Sequence, residues 1–509
     1  MEDSSKFVRG FSITAVGVVY SSAMLYVSRL VAINLLGPVQ FGLYSLAFMV
    51  PSTAYFFLLF GLDVTAARYI AHNLGKNNEE KALKCAQTIF VVRILVTIPS
   101  VIVFFVLSRP LAQLLGEDVV AGIQLMSVYV GVYLVVNYLL SVLQGYFLIK
   151  ERISIEAFVH TFNVILLVFI VFCGFGYISP ILSFAIAFSF GCGLCIYFLR
   201  KASIPVFHFK FEGVKALKEY LTFSFYVYVS DSFHKVYEWV GTIVIMVYAM
   251  PIEAVGHYRA MFSLTNVILL VSYGLTIVLY PMLSELNARE ESTKVAFGLQ
   301  KVTKITLALS IPAAFGMILV SLPLVSVFFP KYTDAVTLLR VFALRMVFLP
   351  LWTIFATALL TLGRAKKQAL LSVGLCGSGF VLSLILGLHS VEGIALANTV
   401  ALACAVFFQY SILKRRISTM NAGPVLTFCF SSALMCAVIW LILQVTTGDV
   451  VKVVFSVIFG VAVYSFLVVK SAAVSQEDLD LMRSGVSVFG RFGRVLELVL
   501  DCAQKVQEW

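Results

Sequence analysis

The sequence predicts an all-α polytopic membrane protein of about 14 transmembrane helices, arranged as two six-helix pseudo-repeats plus two extra helices towards the C-terminal end. Three observations predict it. The 509 residues are 61% hydrophobic and 12% charged, against roughly 45–50% and about 25% in soluble domains. The apolar runs are long and unbroken: 11–35 and 41–62 together hold one charged residue, Arg29, and a helix needs ~20 apolar residues to cross a bilayer core. Motifs of the first half also return in the second at one fixed spacing. This composition excludes a soluble enzyme, a disordered scaffold and a secreted disulfide domain. The unbroken runs exclude an outer-membrane barrel, whose strands alternate.

Fourteen apolar segments follow in order: 11–35, 41–62, 85–107, 121–145, 157–177, 180–199, 221–249, 256–280, 305–322, 335–360, 369–389, 393–413, 424–445 and 453–469. The first is too long for a signal-peptide core and has no small-residue cleavage site, so it is expected to be retained. Gly37 and Pro38 separate the first two. Pro99, Pro312 and Pro350 interrupt spans three, nine and ten, where the missing N–H bends or weakens a helix; they are candidate hinges. Cys192 and Cys195 in span six have redox spacing, but small residues let helices approach closely, and packing is the expected role. None of the nine cysteines suits an external disulfide framework. Beyond 470, Val488, Phe492, Val495, Leu496, Val499 and Cys502 recur at helical spacing beside Arg491, Arg494 and Lys505. That pattern fits an amphipathic helix on the membrane surface or one docked on cytoplasmic loops. The expected organisation is an N-terminal lobe (1–220), a C-terminal lobe (221–423), two further spans (424–469) and a cytoplasmic tail (470–509).

The net charge of +11 and pI near 9.1 would suit nucleic acid were the basic residues clustered. Instead they sort by loop. An even number of spans puts both termini on one side, and the loops on that side hold 28 Lys and Arg, against Arg109, Lys331 and Lys452 opposite. Cytoplasmic loops carry that excess, so both termini are expected in the cytoplasm and no nucleic-acid partner is expected. The loops between spans are too short for a soluble catalytic domain.

The duplication sets the architecture. Pro38, Gly42 and Tyr44 parallel Pro251, Gly256 and Tyr258; Pro110 parallels Pro323; Arg200-Lys201 parallels Lys414-Arg415, all at 213 or 214 residues. The repeat is therefore six spans. Six is even, so both copies insert in the same orientation. Two bundles facing a cleft, rocking to open it to each side in turn, is the predicted arrangement.

Ionisable groups inside spans cost roughly 2.5–3.5 kcal/mol each at mid-membrane and normally face a cavity or a partner. The spans contain Arg29, Arg93, Lys235, Arg259, Arg340 and Arg345, but only Asp231 and Glu238. Asp231, Lys235 and Glu238 share one helix face and read either as a self-neutralised ladder or as a gate or coupling element. Arg93 has three readings: a gate, a pair with Asp63, or a side chain extended to the interface. Arg29 is close enough to a span end to extend likewise, and Arg340 is expected to anchor at the interface. Asn34, His160, Asn163 and Asn266, with Gln124 and Asn137, are candidate sugar contacts or helix-to-helix hydrogen-bonders.

Taken together, Ser28-Arg29-Leu30, Leu35-Leu36-Gly37-Pro38, Gly42-Leu43-Tyr44, Gly61-Leu62-Asp63 with Arg68-Tyr69, Gly256-His257-Tyr258, Tyr280-Pro281 and Leu362-Gly363-Arg364 carry a resemblance. The chain resembles the polysaccharide-transporter and O-antigen flippase branch of the multidrug/oligosaccharidyl-lipid/polysaccharide exporter superfamily. The resemblance implies that basic residues lining a cavity between lobes hold substrate phosphates, and it points to Arg29 and Arg259 first, then Arg345 and Lys235. Guanidinium suits that task because its fork stays charged and can donate two parallel hydrogen bonds.

The expected function is translocation of a polyprenyl-(pyro)phosphate-linked oligosaccharide across the cytoplasmic membrane, without bond chemistry and without a cofactor or metal. The alternatives are a drug/cation antiporter of the same superfamily, which would favour an acidic cavity, and a peptidoglycan lipid-precursor flippase. A polyprenyl-sugar glycosyltransferase or polymerase is disfavoured, since no nucleophile–base pair, metal cluster or phosphate-cradling glycine loop is present. The expected partners are the lipid-linked substrate, membrane lipids and, functionally, glycosyltransferases; a monomer is expected.

Overall fold

A computed structural model describes residues 2–59, 61–207, 213–270, 291–388, 390–414 and 422–471, with a few positions between 272 and 283. Among the described residues all regular structure is helical, in 15 α-helices and short 3₁₀ turns. Eleven helices are long and apolar enough to cross a membrane. One of them, within α1 (Glu2–Leu59), contains two expected spans joined at a break. There Gly37 takes φ 74°, ψ 176°, a conformation side chains disfavour, and Pro38 restarts the helix with its φ already set.

The helices that follow are α2 (Leu62–Gly75), α3 (Glu79–Val106), α4 (Ser108–Leu115), α5 (Val120–Gly145), α6 (Ile149–Phe172), α7 (Ser179–Lys201), α8 (Val214–Val247) and α9 (Ile252–Thr265). Then come α10 (Ser292–Phe328), α11 (Val336–Thr361), α12 (Ala365–Leu386), α13 (Val391–Leu413), α14 (Ala422–Val445) and α15 (Asp449–Lys470). Local chemistry sets several ends. The Asn78 side chain accepts a hydrogen bond from the Lys81 amide at 2.9 Å, and Glu79 and Glu80 occupy the positive N-terminal turn of α3.

The helices form two compact units, Tyr20–Arg259 and the chain from Ala260 onward joined by 1–19. Neighbours recur in each. In the first, α5 packs on α3 and α7, and α6 on α7; in the second, α11 packs on α10 and α13, and α12 on α13. Helices α5 and α11 each have 26 residues, and α7 and α13 each have 23. Pro99 and Pro312 sit inside the equivalent helices α3 and α10. The two extra helices, α14 and α15, pack on each other and on α10, and the Tyr464 hydroxyl donates to the Ala308 carbonyl at 2.6 Å. Along α15, Val450, Val454, Ile458 and Val461 stay exposed, a face suited to lipid rather than water.

Unit and repeat divide the chain differently, because α8 and the start of α9 pack into the first unit. The contact responsible is reciprocal. A Cβ on Gly42 would lie 2.5 Å from the Ile252 carbonyl oxygen, and one on Gly256 would overlap the Pro38 carbonyl oxygen. Gly42 and Gly256 are repeat equivalents, so each motif buries its glycine against the other's backbone.

Candidate functional site

The first unit concentrates most of the intramembrane charge. The turn Tyr248–Pro251 folds α9 back along α8, so residues at similar distances from it meet. Arg259 and Trp239 do so. The Arg259 guanidinium carbon lies 3.7 Å from the Trp239 ring centroid, a cation–π contact, and Nη1 donates to the Glu238 carbonyl oxygen at 2.8 Å. Both side chains are buried, at 8% and 3% exposure.

Arg29 of α1 is half-buried and close enough to Arg259 for the two positive charges to repel. The Tyr44 hydroxyl lies within the field of both. No hydrogen bond or ion pair engages Arg29 among the described residues. The Glu238 carboxylate also acts on Arg259 but is paired with Lys235, so the group keeps an excess of positive charge, an arrangement that favours a negatively charged ligand. An aromatic chain, Phe41–Tyr44–Phe48–Trp239, runs alongside with centroid spacings of 5.6, 5.7 and 6.1 Å.

On α8, Lys235 pairs with Glu238 at 2.6 Å, so its ammonium already has a carboxylate. Asp231 is exposed and makes no ion pair among the described residues. The ladder anticipated from spacing is thus formed only in its second half.

Arg93 is fully buried and pairs with Asp63 at 2.5 Å; it also donates to the Leu58 carbonyl at 3.3 Å. The pair with Asp63 is therefore present, and the side chain is buried rather than extended to a surface. Asp63 opens α2, and burial pushes its carboxyl above the ordinary carboxylate range while the Arg93 charge pulls it down.

Arg345 and Asn266 lie in the second unit. Arg345 is 1% exposed, donates to Asn266 Oδ1 at 2.7 Å and covers the Phe262 ring at 4.0 Å, while its Nε and Nη2 find no acceptor among the described residues. Arg340 is exposed and donates to Ser321 Oγ at 2.9 Å.

Among the amide candidates, Asn163 is wholly buried and donates to Ser28 Oγ at 2.7 Å, a link between α6 and α1. Asn137 donates to its own helix at the Tyr133 carbonyl, 2.9 Å away. His160 is half-buried with its ring edge towards Phe188, Gln124 is half-buried and Asn34 is exposed. The described residues contain no metal-ligating cluster, and their eight cysteines form no disulfide among the described residues. The tail pattern 488–502 and Tyr280-Pro281 lie outside the described residues.

Sequence reasoning missed Trp239, since an aromatic in an apolar helix reads as core, and singled out Tyr44 only as a motif residue. The available signal was the hairpin: the turn Tyr248–Pro251 lies between positions 239 and 259 at nearly equal distance from each.

Comparison with known proteins gives three findings. Residues 7–287 match the family model described as polysaccharide biosynthesis protein. The probable lipid II flippase MurJ of Aquifex aeolicus (strain VF5) is 27% identical over 209 residues, 38% of this chain and 39% of that relative, so the match spans well under half of the relative's length. Among solved structures, lipid II flippase MurJ in an inward closed conformation aligns with a TM-score of 0.72 at 16% identity, covering 90% of this chain and 98% of that one. An inward-facing MATE family multidrug resistance transporter of the MOP superfamily aligns at 0.69 and 15%, covering 79% and 98%. At such identities these structures show a shared fold.

Proposed function

The chain belongs to the polysaccharide biosynthesis protein family, within the multidrug/oligosaccharidyl-lipid/polysaccharide exporter superfamily, and on that premise we propose that it is a flippase for a polyprenyl-(pyro)phosphate-linked oligosaccharide. The observation that carries the proposal is the pairing of Arg29 with Arg259: two nearby intramembrane guanidinium groups, one with no carboxylate or hydrogen-bond partner among the described residues. The carboxylate of Glu238, which acts on Arg259, is already paired with Lys235, whereas a cation carrier would need an excess of carboxylates there. In this reading Arg29 and Arg259 clamp the phosphates, with Arg345 and, secondarily, Lys235 as further contacts. The Asp63–Arg93 pair and Glu238 with Asp231 serve gating, and Asn34, His160, Asn163 and Asn266 are retained as sugar-contact candidates, with Asn163 and Asn266 the weaker for their existing bonds.

Alternation of two lobes (1–220 and 221–423) moves the headgroup while the prenyl tail stays in lipid. The protein works in the cell membrane with both termini cytoplasmic, as a monomer supplied by glycosyltransferases. A second reading, a peptidoglycan lipid-precursor flippase, is favoured by the likeness to the Aquifex aeolicus protein. Proteoliposomes loaded with either labelled lipid separate the two: movement of the prenyl-pyrophosphate oligosaccharide but not of lipid II supports the first, and the reverse supports the second. Efflux of an organic cation with neither lipid moved would reject both.

A further inference from the structure

Trp239 buries an indole N–H that has no acceptor among the described residues. Indole nitrogen is a donor only, and a buried tryptophan ordinarily finds its N–H a partner, because a buried donor left unpaired is a standing penalty. Three residues further along α8, on the same side of the helix, Thr242 buries a hydroxyl that is also without a partner among the described residues. Two idle polar groups therefore sit on one helix face. The first belongs to the ring whose face Arg259 covers at 3.7 Å, with Glu238 holding the guanidinium from the backbone side at 2.8 Å. Packing alone explains a buried ring; it does not explain an unpaired donor beside a desolvated cation.

We propose that Trp239 is a specificity-determining contact: its ring face fixes the Arg259 guanidinium, and its N–H donates to an oxygen of the anionic headgroup that Arg259 attracts. The proposal rests on the flippase reading and adds a residue to it. An acceptor oxygen can come from phosphate or from a sugar, whereas a cationic or purely apolar ligand leaves the indole unpaired, and sites built around a specific hydrogen bond reject ligands lacking it.

The test uses the full-length protein in lipid nanodiscs with ¹⁵N-indole labelling and three probes: a polyprenyl monophosphate, a polyprenyl pyrophosphate and a polyprenyl-pyrophosphate disaccharide. The Trp239 signal is assigned by its loss in Trp239→Phe or, should that variant not fold, by replacing Trp352, Trp440 and Trp509 singly. The expected result is a downfield shift of the Trp239 N–H on probe addition. Trp239→Phe, which keeps a ring under Arg259, should bind about tenfold more weakly, the loss of roughly one hydrogen bond to a charged acceptor. Shifts with all three probes identify phosphate as the acceptor, and a shift with the disaccharide probe alone identifies the sugar. An unmoved indole signal with all three overturns the proposal. If Arg259→Ala then still loses binding, only the role of Trp239 falls; if Arg259→Ala binds like wild type, the phosphate clamp falls with it.

Discussion

At Arg259 the guanidinium is fixed on one face by Trp239 and on one edge by the Glu238 carbonyl. Arg29 brings a second charge without an ion pair among the described residues. Replacing either by Lys keeps the charge and loses the bidentate fork, so headgroup affinity should fall less in Arg29→Lys and Arg259→Lys than in the Ala variants; equal losses in a binding titration would count against a clamp. The Asp63–Arg93 pair behaves differently. Asp63→Asn leaves a wholly buried guanidinium without its counter-charge, a change that costs about 3–5 kcal/mol. Thermal unfolding in detergent should show a marked drop in Tm, which Asp63→Leu combined with Arg93→Met should largely restore. The arginines were legible in the sequence because a charge among apolar residues is conspicuous and needs a reason. Their partners were less so: spacing alone suggested a three-member ladder on α8, but Lys235 reaches Glu238 at i+3 and Asp231 is left out, since side-chain direction rather than face membership decides which of two carboxylates is engaged.

Among the elements, the reciprocal glycine contact between the second half of α1 and the start of α9 is a close backbone approach. Both glycines abut carbonyl oxygens, which no rotamer change can move aside. Gly256→Ala should therefore force the two helices apart, at about 1–3 kcal/mol for overpacking. We expect a lower Tm together with a displaced Arg259, three residues along, read as weaker headgroup binding; Gly75→Ala, where open space surrounds the Cβ position, should leave both unchanged. The Gly37-Pro38 break was visible in the sequence as the gap between two apolar segments, because glycine followed by proline punctuates helices in a recognisable way. That the two motifs pack against one another was not visible. Repeat spacing identifies equivalent positions but carries no information about which equivalents touch.

For the whole molecule, the helical, polytopic class was legible, since a bilayer demands long apolar helices, and eleven such helices appear among the described residues, the one in α1 holding two expected spans. The partition into Tyr20–Arg259 and the rest was not, because it depends on where α8 packs rather than on which repeat it came from. Topology is testable at this scale. Single cysteines at Lys76, Lys150, Lys201 and Lys366 should react with an impermeant maleimide only from the cytoplasmic side, and cysteines at Arg109, Lys331 and Lys452 only from outside; mixed labelling within either set would break the loop-charge argument. The central claim is that Arg29 and Arg259 together carry an anionic headgroup across the membrane. The most direct measurement is the translocation rate of a labelled prenyl-pyrophosphate oligosaccharide in proteoliposomes, for wild type and for Arg29→Ala and Arg259→Ala variants that reconstitute with unchanged Tm. The account predicts transport by wild type and none by either variant, and wild-type rates in both variants would contradict it.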